Sequence, residues 1–146
     1  MIRNLPAALA VTGLLSACAT APAGPHGPPM ADNGNDCAVI AAVAREHYRF
    51  NAADRVAPPL WLHDDGSGWA PRCDWGRYGL SFPQIYDPDR PGRQWVEFRR
   101  PMYDGHGATI ESGIMHGPLA GMGVRCTLVS GFAGWTVTEC RSTWVS

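Results

Sequence analysis

Gly123-Val124-Arg125-Cys126-Thr127-Leu128-Val129-Ser130-Gly131-Phe132-Ala133-Gly134-Trp135-Thr136-Val137-Thr138-Glu139-Cys140-Arg141 reads as a β-hairpin. β-Branched and aromatic residues flank a Gly-bounded turn, Gly131-Phe132-Ala133-Gly134, the composition expected of two antiparallel strands. Centring the loop on Ala133 sets Cys126 directly opposite Cys140. Opposed residues of an antiparallel pair have Cα atoms about 4.5–5.5 Å apart, a span that a disulfide bridges. In this register Val124, Cys126 and Leu128 share a face with Thr136, Thr138 and Cys140. The bond would close a fifteen-residue loop and contribute about 3 kcal/mol by chain entropy.

Working back from the hairpin, Gln94 to Arg100 alternates Trp95, Glu97 and Arg99 against Val96, Phe98 and Arg100. Ala108 to Met115 has similar character, and Asp104-Gly105-His106-Gly107 turns the chain between them. Tyr78 to Tyr86 reads as a further strand, with Pro83 marking an edge or a bulge, and Asp87 to Gly92 as a turn. Gly117, Gly121 and Gly123 lack the Lys and the βαβ setting of a phosphate loop and read as bends between strands.

Residues 51–76 look irregular. Their His63-Asp64-Asp65-Gly66 stretch is an acidic turn, because the alternating oxygen ligands and closing Glu of a calcium loop are missing. Before them, Cys37 to Arg49 is the strongest helix, with Asp36 as its N-cap. Cys37, Ile40, Ala41, Ala44 and Tyr48 recur at helical spacing on one buried face, and His47 borders it. The expected fold is α+β: one N-terminal helix packed on an antiparallel meander of about four to five strands, within a single domain over residues 36–146.

Upstream the chain changes character. Ala19 to Asn35 is rich in Pro, Ala and Gly without apolar periodicity and reads as a disordered tether. Arg3 followed by the apolar run Leu5 to Leu15 has the charge and length of a signal-peptide core, too short to span a bilayer. The stretch closes on Leu15-Ser16-Ala17-Cys18, which resembles the lipobox of bacterial lipoproteins. That resemblance implies removal of residues 1–17 and a mature chain starting at a diacylglyceryl-modified, commonly N-acylated Cys18. Two or three acyl chains make a stable anchor. By the sorting rule for such proteins, Ala19 after the cysteine implies the outer membrane, with the domain facing the periplasm. The helix-then-meander order also resembles cystatin-like folds, including nuclear-transport-factor-like domains, in topology only.

The mature chain would hold 129 residues, with 11 Arg, no Lys and 13 acidic residues. A balance of −2 without a basic run argues against nucleic acid as a partner. Four cysteines remain after Cys18, an even number suited to two disulfides in an exported domain. Three pairings are possible; hairpin register selects Cys126–Cys140, and exclusion leaves Cys37–Cys73. These cysteines are far apart in sequence, so a metal site is not expected, and neither is a cofactor.

Six tryptophans are many for so small a domain. Most are expected in the core, with Trp61, Trp69 and Trp75 the candidates for a ligand-facing aromatic surface. His47, His63, His106 and His116, with Asp64, Asp65, Asp104 and Glu111, are available for catalysis, but no spacing groups them and no Gly-x-Ser-x-Gly elbow exists. The expectation is therefore a membrane-anchored, non-enzymatic envelope lipoprotein with a structural or binding role. Its partners would be the lipid bilayer through Cys18 and either peptidoglycan or another envelope protein. The alternatives are a sugar-binding or peptidoglycan-binding module using exposed Trp, and a small hydrolase using His and Asp.

Overall fold

The computed structural model describes residues 33–83 and 94–146. The lipobox, Cys18, the tether up to residue 32 and the turn at 87–92 lie outside the described residues.

Among the described residues one α-helix, α1 (Asn33–Glu46), packs on a six-stranded sheet. The strands are β1 (Leu60–His63), β2 (Trp95–Arg99), β3 (Met102–Tyr103), β4 (Gly107–Gly117), β5 (Ala120–Gly131) and β6 (Gly134–Val145). Their order is β1-β2-β4-β5-β6, with β3 also paired to β4. The α+β class, the single helix and both disulfides agree with the sequence reading. The sheet is mixed, because β1 joins β2 in parallel within the stretch read as irregular. Leu60-Trp61-Leu62-His63 alternates as a strand should, but four residues between Pro58-Pro59 and an acidic turn are too short a signal to stand out.

The alternation read in β2 holds: Val96 and Phe98 are fully buried, while Trp95, Glu97 and Arg99 point to the other face. Ile110, Ile114, Val124, Cys126 and Leu128 continue the apolar face across β4 and β5. α1 covers it. Nearly every residue from Asp36 to Ala44 is buried, a wider apolar surface than the single stripe expected. A helix that is apolar all round needs cover on more than one side. Here Trp69, Trp75, Leu80 and Phe82 from the β1–β2 connection join the same core. Cys37–Cys73, with Cα atoms 5.5 Å apart, staples that connection to the helix.

The helix begins at Asn33, so Asp36 lies in its first turn and is not the N-cap. Its carboxylate is committed elsewhere: Trp69 Nε1–H donates to it at 2.7 Å and the Tyr103 hydroxyl at 2.6 Å. Both partners are remote in sequence, so no local pattern predicts the arrangement. The helix ends at Glu46, short of Arg49, which has a left-handed φ of 61°. Tyr48 beyond it still reaches the core, where its hydroxyl shares a 2.7 Å hydrogen bond with Ser112.

The strand expected from Tyr78 is instead a 3-10 turn, Trp75–Tyr78, ended by Gly79 at φ 69°; residues 84–86 of that strand lie outside the described residues. The final hairpin has the expected disulfide but a different register near its turn. The loop is Phe132-Ala133, with Gly134 at φ 109°, and Leu128 faces Val137. Thr138 then bulges out of β6, which restores Cys126 opposite Cys140 with a Cα separation of 4.1 Å. A second bulge at Thr143 sets Trp144 opposite Gly123. Val137, not Thr136 or Thr138, therefore turns towards the helix with Cys140. A bulge reverses facing exactly once, a frame shift that residue counting alone does not reveal.

Candidate functional site

The face of the sheet opposite α1 carries at least one polar or aromatic side chain from each of β1, β2, β4, β5 and β6. Side chains on paired residues share a face, so three transverse rows follow from the register. Trp95, Met115 and Gly121 form the first; Trp61, Glu97, Gly113, Gly123 and Trp144 the second; His63, Arg99, Glu111, Arg125 and Arg141 the third.

The glycines of the first two rows have a common purpose. A Cβ on Gly123 would collide with the Trp144 ring at Nε1, and one on Gly113 would lie 3.1 Å from both Trp144 Cζ2 and Glu97 Oε1. The Trp144 indole thus lies in a flat trough where side chains are missing. Gly121 and Gly123 are interior strand residues and not the bends expected of them. Trp144 remains 40% exposed, and Trp61 and Trp95 are half-buried. Trp61 meets the His63 ring edge-on at 5.2 Å. Trp95 Nε1 and His63 Nδ1 are buried and have no hydrogen-bond partner among the described residues.

The third row is a ladder of charge. Glu111 accepts Arg125 Nε–H at 3.1 Å and a second contact from its Nη2, and lies 3.8 Å from Arg99. Arg125 and Arg141 face each other across β5 and β6, a like-charge pair. Glu139 relieves it by accepting from Arg141 Nε at 2.8 Å, which holds the Glu139 carboxyl below its ordinary value. Two grooves flank the ladder and meet at Met102 and Thr109. One, of about 500 Å³, includes His63, Arg99 and Arg100; the other, of about 870 Å³, includes Arg125, Glu139 and Arg141.

The residues singled out from sequence fare differently. Trp61 lies on this face. Trp75 packs edge-on against Phe82 in the partly buried core margin. Trp69 is buried against Asp36, which removes it from any surface role. Trp95 and Trp144 were not singled out; a Trp two positions from the alternating Glu97 and Arg99 was the available signal for the first, whereas Trp144 needed the Thr143 bulge to be known. Asp64 organises the acidic turn by accepting the N–H groups of Gly66, Gly68 and Trp69. Asp104 does likewise for His106 and Gly107, which lowers its carboxyl from the ordinary value.

His63 is on the outer face, His106 in the β3–β4 turn and His116 at the end of β4, while His47 follows α1 on the opposite side of the sheet. Among the described residues no histidine side chain is hydrogen-bonded to a carboxylate. His47 does meet other chemistry: its imidazole and the sulfurs of Cys126 and Cys140 offer ligand atoms that all lie within 4.8 Å of one another. Long sequence separation hid that grouping.

The chain matches no family model, no curated protein and no solved structure.

Proposed function

We propose that this chain is a lipid-anchored, non-enzymatic envelope protein that binds glycan on the outer face of its sheet. The observation that carries the reading is the placement of Trp61, Trp95 and Trp144 on one helix-free face beside an Arg–Glu ladder. Indole faces pack against the C–H faces of sugar rings, and half-buried tryptophans present such faces at low entropic cost. Arginines beside them donate paired hydrogen bonds to carboxylates, which peptidoglycan carries in abundance. The anchor rests on the Leu15-Ser16-Ala17-Cys18 motif, and an outer-membrane address facing the periplasm would bring peptidoglycan within reach of the tether.

The test is co-sedimentation with purified, protein-free peptidoglycan. Trp144→Ala and Trp61→Ala should each reduce retention several-fold while far-ultraviolet circular dichroism stays native. Retention equal to that of the parent in both variants would reject the glycan surface and leave a structural role. Separately, Cys18→Ser should yield an uncleaved precursor that no longer labels with radioactive palmitate; a mature, lipid-labelled variant would overturn the anchor.

A further inference from the structure

The Cys126–Cys140 bond lies at an unusual junction. Cys126 is on interior strand β5 and fully buried, whereas Cys140 is on β6 and half-exposed. The end of α1 is pinned above them, because Val137 N–H donates to the Glu46 carboxylate at 2.8 Å. His47 is the next residue. Its ring meets the Tyr48 ring edge-on at 4.8 Å, and Tyr48 is held in turn by Ser112. The imidazole is thereby set against the two sulfurs by elements that do not depend on the disulfide. Backbone pairing continues on both sides of Cys126 and Cys140, and their Cα atoms are 4.1 Å apart. Cleaving the bond leaves two thiols still opposed in the sheet, with an imidazole beside them.

We infer that His47, Cys126 and Cys140 form a zinc site that opens when their disulfide is reduced. Two thiolates and one imidazole are a donor set that zinc favours, with a fourth tetrahedral position open to water. Tetrahedral bonds of about 2.3 Å to sulfur and about 2.0 Å to nitrogen place ligand atoms roughly 3.5–3.8 Å apart. Once the S–S bond is cut, side-chain rotation has to carry the grouping from within 4.8 Å to that geometry. The half-exposed Cys140 is the sulfur an incoming thiolate reaches. Attack there forms a mixed disulfide and expels the Cys126 thiolate; the second thiol of a dithiol reductant then frees Cys140 and leaves as the reductant's own disulfide. Zinc binding to the reduced pair releases the remaining thiol protons. Metal and disulfide are mutually exclusive, so occupancy follows the redox state.

The experiment uses the full chain, reduced anaerobically with a phosphine and titrated with Co²⁺ and then Zn²⁺. One equivalent of Co²⁺ should produce near-ultraviolet thiolate charge-transfer absorption with tetrahedral visible bands, bleached by one equivalent of Zn²⁺. His47→Gln should weaken binding roughly tenfold or more. A Cys37→Ser, Cys73→Ser double variant should bind as the parent does, since it keeps the three donors. The oxidised protein should bind nothing with these bands. Affinity unchanged by His47→Gln, or loss of binding in a folded Cys37/Cys73 variant, would overturn the site. Loss of native circular dichroism on reduction of Cys126–Cys140 in that double variant would overturn it too, because the donors must stay opposed after the bond is cut; if the double variant does not fold, the same measurement on the reduced parent decides.

Discussion

The two faces of this sheet solve opposite problems. The inner face removes apolar side chains from water under α1 and commits its few polar groups to one another: Tyr48 with Ser112, and Asp36 with Trp69 and Tyr103. The outer face keeps tryptophans and arginines half in water, supported by glycines and by ion pairs on their own face. The first arrangement is a source of stability. The second is a surface whose members stay accessible to water and contribute little to the fold. A mutation should therefore report which face it strikes through the size of its effect on unfolding.

The largest effect is expected inside. Phe98 is fully buried and its ring meets Tyr48 edge-on at 6.1 Å. Phe98→Ala should cost about 3–5 kcal/mol in urea unfolding, through lost transfer energy and the cavity it leaves. A cost under about 1.5 kcal/mol would remove the distinction between the faces.

Alkali should act on the same face. Burial pushes the Tyr48 phenol from 10.0 up to about 12, with the Ser112 hydrogen bond opposing the shift. A raised folded value means that its contribution is fully present below pH 10.0 and is lost as pH rises towards about 12. Two pH units at about 1.4 kcal/mol each make roughly 3 kcal/mol. Comparing unfolding midpoints at pH 9 and pH 12 should show that loss in the parent and a much smaller one in Tyr48→Phe. The chain has no Lys to titrate in the same window. Parallel pH curves for the two proteins would contradict the assignment.

On the outer face the effects shrink. Gly123→Ala places a methyl group against the Trp144 ring and should displace it, at roughly 1–2 kcal/mol. A shift in tryptophan emission would accompany the displacement; an unchanged spectrum would show that the trough is not specific to glycine. Smallest of all is Glu111→Gln. Its ion pairs are partly exposed, and such pairs contribute about 0–1 kcal/mol, diminishing with salt. A loss above about 2 kcal/mol would make the ladder part of the structural framework.

Sequence revealed the inner face better than the outer one. Val96, Phe98, Ile110 and Leu128 follow local periodicities that depend on burial alone, and the helix from Cys37 onward follows the same logic. Both disulfides were legible because one hairpin register sufficed to choose among three pairings. The outer face needed the order of strands. Trp61 meets Glu97, and Trp144 meets Gly123, only after a parallel pairing and two bulges have been set. Asp36 was misread for a similar reason: its local position suits a cap, while its partners, Trp69 and Tyr103, lie 33 and 67 residues away. His47 beside Cys126 and Cys140 is the extreme case, a grouping made wholly by tertiary packing.

The bulges at Thr138 and Thr143 have a consequence beyond facing. Among the described residues β6 has no strand on its far side, and it is twelve residues long. A straight edge of that length offers an unbroken row of N–H and C=O groups on which another chain can add a strand, the first step of intermolecular sheet growth. Each bulge breaks the spacing of that row, and Glu139 and Arg141 place charges between the breaks. Removing Thr138 would keep Cys140 opposite Cys126, because Glu139 would then follow Val137 directly and still face Thr127. It would also give the edge a longer regular run, so the hairpin would stay covalently closed and still become a template more open to aggregation.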